Sequence, residues 1–118
     1  MVLALGTDLT WAAEGHDATR ITLNKGQAAL LAAVAAAARR PVVVVLLTAT
    51  PLDISSLLAD ARVGAVLHAG QPSVQTLGLG DLLFGRRVPA GRTVQTVLPA
   101  SYADQISIFD FNMRPGPS

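Results

Sequence analysis

The stretch PVVVVLLT, residues 41–48, decides the fold of this protein. Residues 42–47 are all apolar, and four of these six are β-branched valines. A strand without apolar and polar alternation is typical of the centre of a parallel sheet, where both faces are covered. Parallel strands need long crossover connections, which are usually helices, so the flanking segments are expected to supply both.

The flanking segments contain strands and helices in alternation. The predicted strands cover residues 2–5, 42–47, 63–68 and 93–98. The predicted helices cover residues 26–40, a short stretch after Asp53, whose side chain is expected to cap it, and residues 72–84. This order predicts the α/β class, with an open, mostly parallel sheet, helices on both faces and right-handed crossovers. Residues 101–118 are predicted to form an irregular tail.

The composition fits a single globular domain and excludes several functions. The chain has 118 residues, 51 % of them hydrophobic, with a formal net charge of +1 and no cysteine. Lack of cysteine excludes a disulfide scaffold, a cysteine-ligated zinc site and a thiol nucleophile. Because nucleic-acid binding requires a basic patch on the protein, a net charge near zero predicts no nucleic-acid partner.

Neither a membrane nor a cofactor is predicted as a partner. The apolar runs fall short of the ~20 residues that a membrane span needs, and the first residues lack the pattern of a signal peptide. His16 and His68 have no clustered ligands around them, which predicts no metal site. The sequence also lacks a phosphate-binding loop and a dinucleotide fingerprint.

The long polar segment of residues 7–24 is the candidate functional site, because ligands of open α/β sheets bind outside the carboxyl ends of strands. It contains Glu14, the single glutamate of the chain. A glutamate beside a cleft acts as a general acid when partial burial raises its pKa. A solvated loop carboxylate is the alternative, and the residue type alone leaves both open.

Four other side chains of this segment are candidate ligand-binding groups: Asp8, Trp11, His16 and Asp17. The two aspartates and the histidine could hydrogen-bond a ligand hydroxyl, and the tryptophan could stack on a sugar ring. The alternatives are turn formation for the aspartates, solvation for the histidine, and packing of Trp11 against its own domain.

Five segments in one order resemble the C-terminal α/β-sandwich domain of glycoside hydrolase family 3, and most closely that of the β-xylosidases. The resemblance covers nearly the whole chain. The segments are GTD at 6–8 with AEGHD at 13–17, PVVVVLL at 41–47 with PLD at 51–53, VGAVLHAGQP at 63–72, DLLFG at 81–85 with PAGR at 89–92, and FNMRP at 111–115.

The resemblance implies a retaining exo-glycosidase that removes a terminal β-linked sugar, from a β-xyloside or a β-glucoside. Such enzymes use two carboxyl groups ~5–5.5 Å apart, one as nucleophile and one as acid and then base. In the family the nucleophile is an aspartate of a (β/α)8 barrel, and the acid/base is a glutamate of the sandwich domain. Its Glu-Gly-x-Asp context places that role on Glu14. Family members are often secreted or periplasmic, although nothing in these residues shows export.

The sequence departs from the family pattern at several positions. Ala12 stands where an acid is usual, Ala18 where an arginine is usual, and Lys25 where a proline is usual. A glycine-rich run is replaced by residues 73–77. The barrel and the family's closing aromatic segment are also missing. Residues 1–118 are therefore expected to be a single truncated sandwich domain, from a fragment, a split gene or a decayed copy, and inactive alone.

Two functional hypotheses follow, and the sequence leaves both open. The chain either supplies the acid/base of a glycosidase or is a non-catalytic carbohydrate-binding or scaffolding domain derived from one. A third hypothesis, a flavodoxin-like phosphate binder, lacks the glycine-rich loop that it requires. A domain that normally packs on a barrel is also expected to expose an apolar face and to self-associate.

Overall fold

Three parallel strands form an open sheet in the order β1-β2-β3. They are β1 Val2–Gly6, β2 Val42–Leu47 and β3 Val63–Gly70. The computed structural model describes residues 1–72, 74, 76–107 and 109–111. β2 lies between its two neighbours and pairs with both. The uninterrupted apolar run therefore forms the central strand, as predicted.

Three α-helices and one 3-10 helix accompany the sheet in the described part of the chain. They are α1 Lys25–Ala37, α2 Ser55–Ala59, α3 Leu77–Leu83 and the 3-10 helix Ala100–Asp104. α1 ends before residue 40, because the chain is already extended at Ala38 (ψ 132°). The open parallel sheet with helices confirms the predicted fold class. The 3-10 helix falls within the predicted irregular tail, of which residues 108 and 112–118 lie outside the described residues.

The core lies between the sheet and the first two helices. The side chains of Val42, Val44 and Leu46 are 0 % exposed. They cluster with one another and with residues of β1, α1, the 48–54 connection and α2: Leu5, Leu31, Ala35, Leu52 and Leu57. Burial of branched aliphatic side chains contributes roughly 1.5–3 kcal/mol each relative to leaving them exposed. This one cluster therefore holds the sheet and the helices together.

The opposite face of the sheet is covered less completely. Val2 and Ala4 of β1 are exposed on this side. Leu67 of β3 lines a cavity of about 870 Å³, whose other wall includes Leu79 and Leu82 of α3. α3 is therefore set off from the strands by open space, whereas α1 and α2 contact the sheet directly.

The prediction of a strand over residues 93–98 is wrong. The structure has neither helix nor strand between residues 91 and 99. Alternating apolar and polar residues express only a local preference, and a strand forms when a neighbouring backbone pairs with it. β3 pairs only with β2 among the described residues, and residues 93–97 instead form part of the cavity wall. The predicted helix over 72–84 is shorter, and Gly85, with a φ of 71°, follows its end.

Candidate active site

The first anchor of the 7–24 loop is at the carboxyl end of β1. The backbone N–H of Gly6 donates to Oε1 of Gln27 (3.1 Å), and Nε2 of Gln27 donates to the Gly6 carbonyl (2.7 Å). The N–H of Thr7 donates to the Leu47 carbonyl (3.0 Å). The loop therefore leaves the sheet from a fixed point, between the central strand and the first helix.

Thr48 adds a side-chain link at the same place. It is the one buried polar residue in the described part of the chain. Its Oγ1 lies 2.7 Å from Oγ1 of Thr7 and donates to the carbonyl of Thr50 (2.8 Å). A buried hydroxyl is costly unless it is hydrogen-bonded, so these two partners hold the ends of β1 and β2 together.

The second anchor is Asp53, which lies outside the loop and contacts it near its end, at Ile21. The N–H of Asp53 donates to the carbonyl of Ile21. Its carboxylate accepts the N–H of Ala100 (2.8 Å) and that of Ser55, the first residue of α2 (2.8 Å). The Ala100 hydrogen bond, and then those from Ser55, lower the pKa of Asp53. The N-cap residue of α2 is Ile54 and not the predicted Asp53, but the Asp53 carboxylate still binds the first N–H of the helix. The same side chain also binds the first residue of the 3-10 helix.

Glu14 lies at the tip of a tight turn within this anchored loop. Ala13 and His16 exchange both of their backbone hydrogen bonds (2.9 Å each), so Glu14 and Gly15 are the two central residues. Gly15 has a φ of 73°, which glycine adopts without steric cost at the third residue of such a turn. The turn therefore holds Glu14 at its outermost point.

The carboxylate of Glu14 is available to a partner. The residue is exposed, and within the described residues its side chain forms no hydrogen bond or ion pair. His16, which closes the turn, and Asp17, which follows it, are also exposed. The structure thus presents three ionisable side chains to solvent at one end of the loop. This domain alone does not supply the burial that a general acid needs.

Asp8 and Trp11 occupy the base of the loop. Oδ1 of Asp8 accepts the N–H (2.9 Å) and the hydroxyl (2.6 Å) of Thr10. These hydrogen bonds, the hydroxyl first, lower the pKa of Asp8. Trp11 packs against the core cluster, and its indole Nε1 is buried without a hydrogen-bond partner in the described structure. Asp8 therefore shapes a turn, and Trp11 fastens the loop to the core.

The large cavity borders the base of the loop at Thr48 but is not lined by its tip. Its walls contain Thr48, residues 67–71 and residues 89–97, and none of the five predicted site residues. The described residues also contain no group of three or more His, Asp or Glu side chains that could hold a metal ion. In the same part of the chain, no helix is both long and apolar enough to cross a membrane.

Sequence reasoning missed Gln27 as part of the site. Its position three residues after the N-cap Asn24 indicates a capping box, in which the third helical residue bonds back to the N-cap. The side chain instead crosses to Gly6, a contact between residues 21 positions apart. The sequence carries no signal for that choice.

Comparison with known proteins identifies the family. The sequence profile of the glycosyl hydrolase family 3 C-terminal domain matches residues 1–113. The chain therefore belongs to glycoside hydrolase family 3, in which it corresponds to the C-terminal domain. This confirms the resemblance found in the sequence.

The relatives are several times longer than this chain. A probable exo-1,4-beta-xylosidase of Aspergillus fumigatus is 39 % identical over 117 residues, which are 98 % of this chain and 15 % of that protein. A beta-xylosidase/alpha-L-arabinofuranosidase of Medicago sativa subsp. varia is 31 % identical over 118 residues, again 15 % of its length. A solved family 3 exo-beta-xylosidase, in complex with a xylobiose aziridine activity-based probe, superposes with a TM-score of 0.81 at 36 % identity. The match covers 98 % of this chain and 15 % of that structure.

Proposed function

We propose that this chain supplies the general acid/base, Glu14, to a retaining exo-glycosidase of the β-xylosidase or β-glucosidase type. The nucleophile belongs to a (β/α)8 barrel, on another domain or another chain. The observation that carries this proposal is the exposed carboxylate of Glu14 at the tip of an anchored loop, where it has no partner among the described residues.

The proposed role divides the reaction between two surfaces. In the first step Glu14 donates a proton to the glycosidic oxygen, while the barrel carboxylate attacks the anomeric carbon and the leaving alcohol departs. In the second step Glu14, now ionised, removes a proton from water, which displaces the barrel carboxylate. A group that serves another domain in this way has to project beyond its own domain, as the turn around Glu14 does.

In this proposal the barrel has to supply the apolar, water-excluded pocket that keeps Glu14 protonated. A carboxylic acid remains protonated near neutral pH when it lies in an apolar, water-excluded pocket, whereas Glu14 is exposed on this domain. His16 and Asp17, exposed beside it, are proposed to contact the sugar at the same interface. Asp8 and Trp11 are proposed to contribute to binding through the shape of the loop base.

The isolated chain is expected to be inactive toward β-xylosides. A general acid contributes only ~10²–10⁴-fold, and in this proposal the attacking carboxylate lies on the barrel. Activity therefore requires complementation, for example with a family 3 β-xylosidase whose own sandwich domain has been removed. We expect the mixture to hydrolyse terminal β-xylosides, and neither component to do so alone.

Glu14→Gln is the decisive variant in this mixture. We expect its kcat for substrates with poor leaving groups to fall by about 10²–10⁴-fold, the share of a general acid. Its thermal unfolding should match that of the parent, since the side chain is exposed and forms no contact with the described residues that the amide would lose. Asp104→Asn is the matched control, because it makes the same carboxylate-to-amide change at an exposed position of the 3-10 helix.

Two outcomes would contradict the proposal. Equal activity of the Glu14→Gln and Asp104→Asn mixtures would remove Glu14 from the chemistry. Saturable binding of xylose by the chain, without turnover in any mixture, would instead favour the non-catalytic carbohydrate-binding function.

A further inference from the structure

The side chain of Gln27 binds the end of β1, at the base of the loop, and not the N-terminus of its own helix. It is the third residue of α1, and its backbone N–H is already satisfied by Oδ1 of Asn24 (2.8 Å). Its carboxamide reaches the last residue of β1, where it binds both the N–H (3.1 Å) and the carbonyl (2.7 Å) of Gly6. One side chain thus satisfies both outward-facing backbone groups at the end of an edge strand.

The two residues of this contact flank the candidate site loop. Gly6 immediately precedes residues 7–24, and Gln27 lies just after them. The contact therefore closes the loop at its base. Gly6 itself packs directly against the central strand, since a methyl group at its Cα would overlap the carbonyl of Leu47.

The rest of the loop depends on this closure. The Glu14 turn is held by the paired backbone bonds of Ala13 and His16, which fix its shape but not its position relative to the sheet. Trp11, which packs against the core, is the nearest tertiary contact of the turn. The position of the turn is thus set by the tertiary contacts of the loop, which are the Gln27 contact with Gly6, the packing of Trp11 and the hydrogen bond between Ile21 and Asp53.

We propose that Gln27 is a positioning residue, which clamps the base of the 7–24 loop and so sets where the Glu14 turn meets its partner. The clamp is a property of this chain alone, whereas its effect on catalysis rests on the proposed function. A glutamine is needed because the clamp uses one donor and one acceptor. Glutamate keeps the length but loses the donor, and alanine loses both groups.

The clamp can be tested on the chain by itself, because Trp11 is its single tryptophan and lies within the loop. We expect Gln27→Glu and Gln27→Ala to raise the acrylamide quenching of Trp11 and to shift its emission to longer wavelength. Gln105→Glu is the matched control, since Gln105 is exposed and lies away from the loop sequence. Far-ultraviolet circular dichroism at the assay temperature selects variants that remain folded. Tryptophan emission equal to the parent in a folded Gln27→Glu protein would overturn the clamp.

The positioning role has a separate signature in the complemented enzyme. A misplaced acid slows the departure of poor leaving groups but not of dinitrophenolate, which needs no proton. We expect kcat/KM of Gln27→Glu to fall by about 10–100-fold for alkyl xylosides, the scale of a small misplacement, and to be unchanged for dinitrophenyl xyloside. An equal loss for both substrates would show a merely structural role and would overturn the positioning.

The two proposals fail in different ways. If Gln27→Glu exposes Trp11 while Glu14→Gln keeps full activity in the mixture, the clamp is supported and the catalytic role of Glu14 is refuted. If Glu14→Gln loses activity while Gln27→Glu leaves both the Trp11 emission and the leaving-group dependence unchanged, the catalytic role of Glu14 is supported and the clamp is refuted.

Discussion

Gly6→Ala tests the place where the sheet, the first helix and the candidate site loop meet. A Cβ at position 6 would overlap the carbonyl oxygen of Leu47 and stand 2.8 Å from the carbonyl carbon, whereas real Cβ contacts essentially never fall below 3.0 Å. The obstacle is backbone of the central strand and not the end of a flexible side chain. The end of β1 therefore has to move away from β2.

That movement strains or breaks three hydrogen bonds. They are the two between Gly6 and Gln27 and the one from Thr7 to Leu47. With a net contribution of about 0.5–1.5 kcal/mol each, their loss costs about 1.5–4.5 kcal/mol. Overpacking adds typically about 1–3 kcal/mol. Together these terms give an expected loss of roughly 2.5–7.5 kcal/mol, a large part of the ~5–15 kcal/mol stability of a typical domain.

The assay is urea unfolding, followed by circular dichroism and by the emission of Trp11. With a slope of about 1–3 kcal/mol per molar urea, the midpoint should fall by at least about 1 M. Gly80→Ala is the matched control, because a Cβ there meets nothing within 4 Å and alanine in a helix is favoured over glycine by about 0.5–1 kcal/mol. A Gly6→Ala midpoint equal to or above the parent would refute the assigned packing of β1 against β2.

Two further predictions concern the surface. The pKa of Asp60 is lowered from 3.8 to about 2, chiefly by the Arg62 side-chain hydrogen bond. A carboxylate whose pKa is lowered by folding stabilises the folded protein at pH values above its unfolded-state pKa. This stabilisation is lost as the pH falls through the folded-state pKa. We therefore expect a small difference in urea midpoint between the parent and Arg62→Ala, since the Asp60 and Arg62 side chains both reach solvent. The difference should shrink between pH 4 and pH 2. A difference that grows toward pH 2 would contradict this. Val2 is 56 % exposed on the less covered sheet face, so the sedimentation coefficient should rise with protein concentration and rise less in Val2→Lys. A monodisperse monomer at every concentration would rule out association through this face.

The sequence predicted the parts of the fold that local pattern decides. The apolar run of β2, the alanine-rich helix α1 and the β3 strand all form where their residue types favour them. The N-cap of α2 falls on Ile54, one residue after the predicted Asp53, although the Asp53 carboxylate still reaches the first helix N–H, two residues on. The family could be inferred as well, because short motifs in a fixed order are a property of the sequence.

Where prediction failed, a partner far along the chain was involved. Residues 93–98 alternate like a strand, but no backbone pairs with them among the described residues, and alternation without a partner leaves them irregular. Gln27 has the spacing of a capping box, but the end of β1 offers it a donor and an acceptor together, and its side chain crosses to Gly6. For Trp11 the sequence had left sugar stacking and packing against its own domain both open, and the packing depends on the apolar surface that the core offers.

The sequence by itself determined the candidate for the acid/base role: one glutamate in a long polar loop, followed by a glycine that makes the turn. Only the tertiary structure decided how that glutamate is presented. Gln27 closes the loop at one end, and Asp53 fixes the chain near the other, while the tip remains exposed. The physical reason is that backbone conformation follows from neighbours in the chain, whereas side-chain hydrogen bonds and packing depend on which distant segments the fold brings within about 3–4 Å.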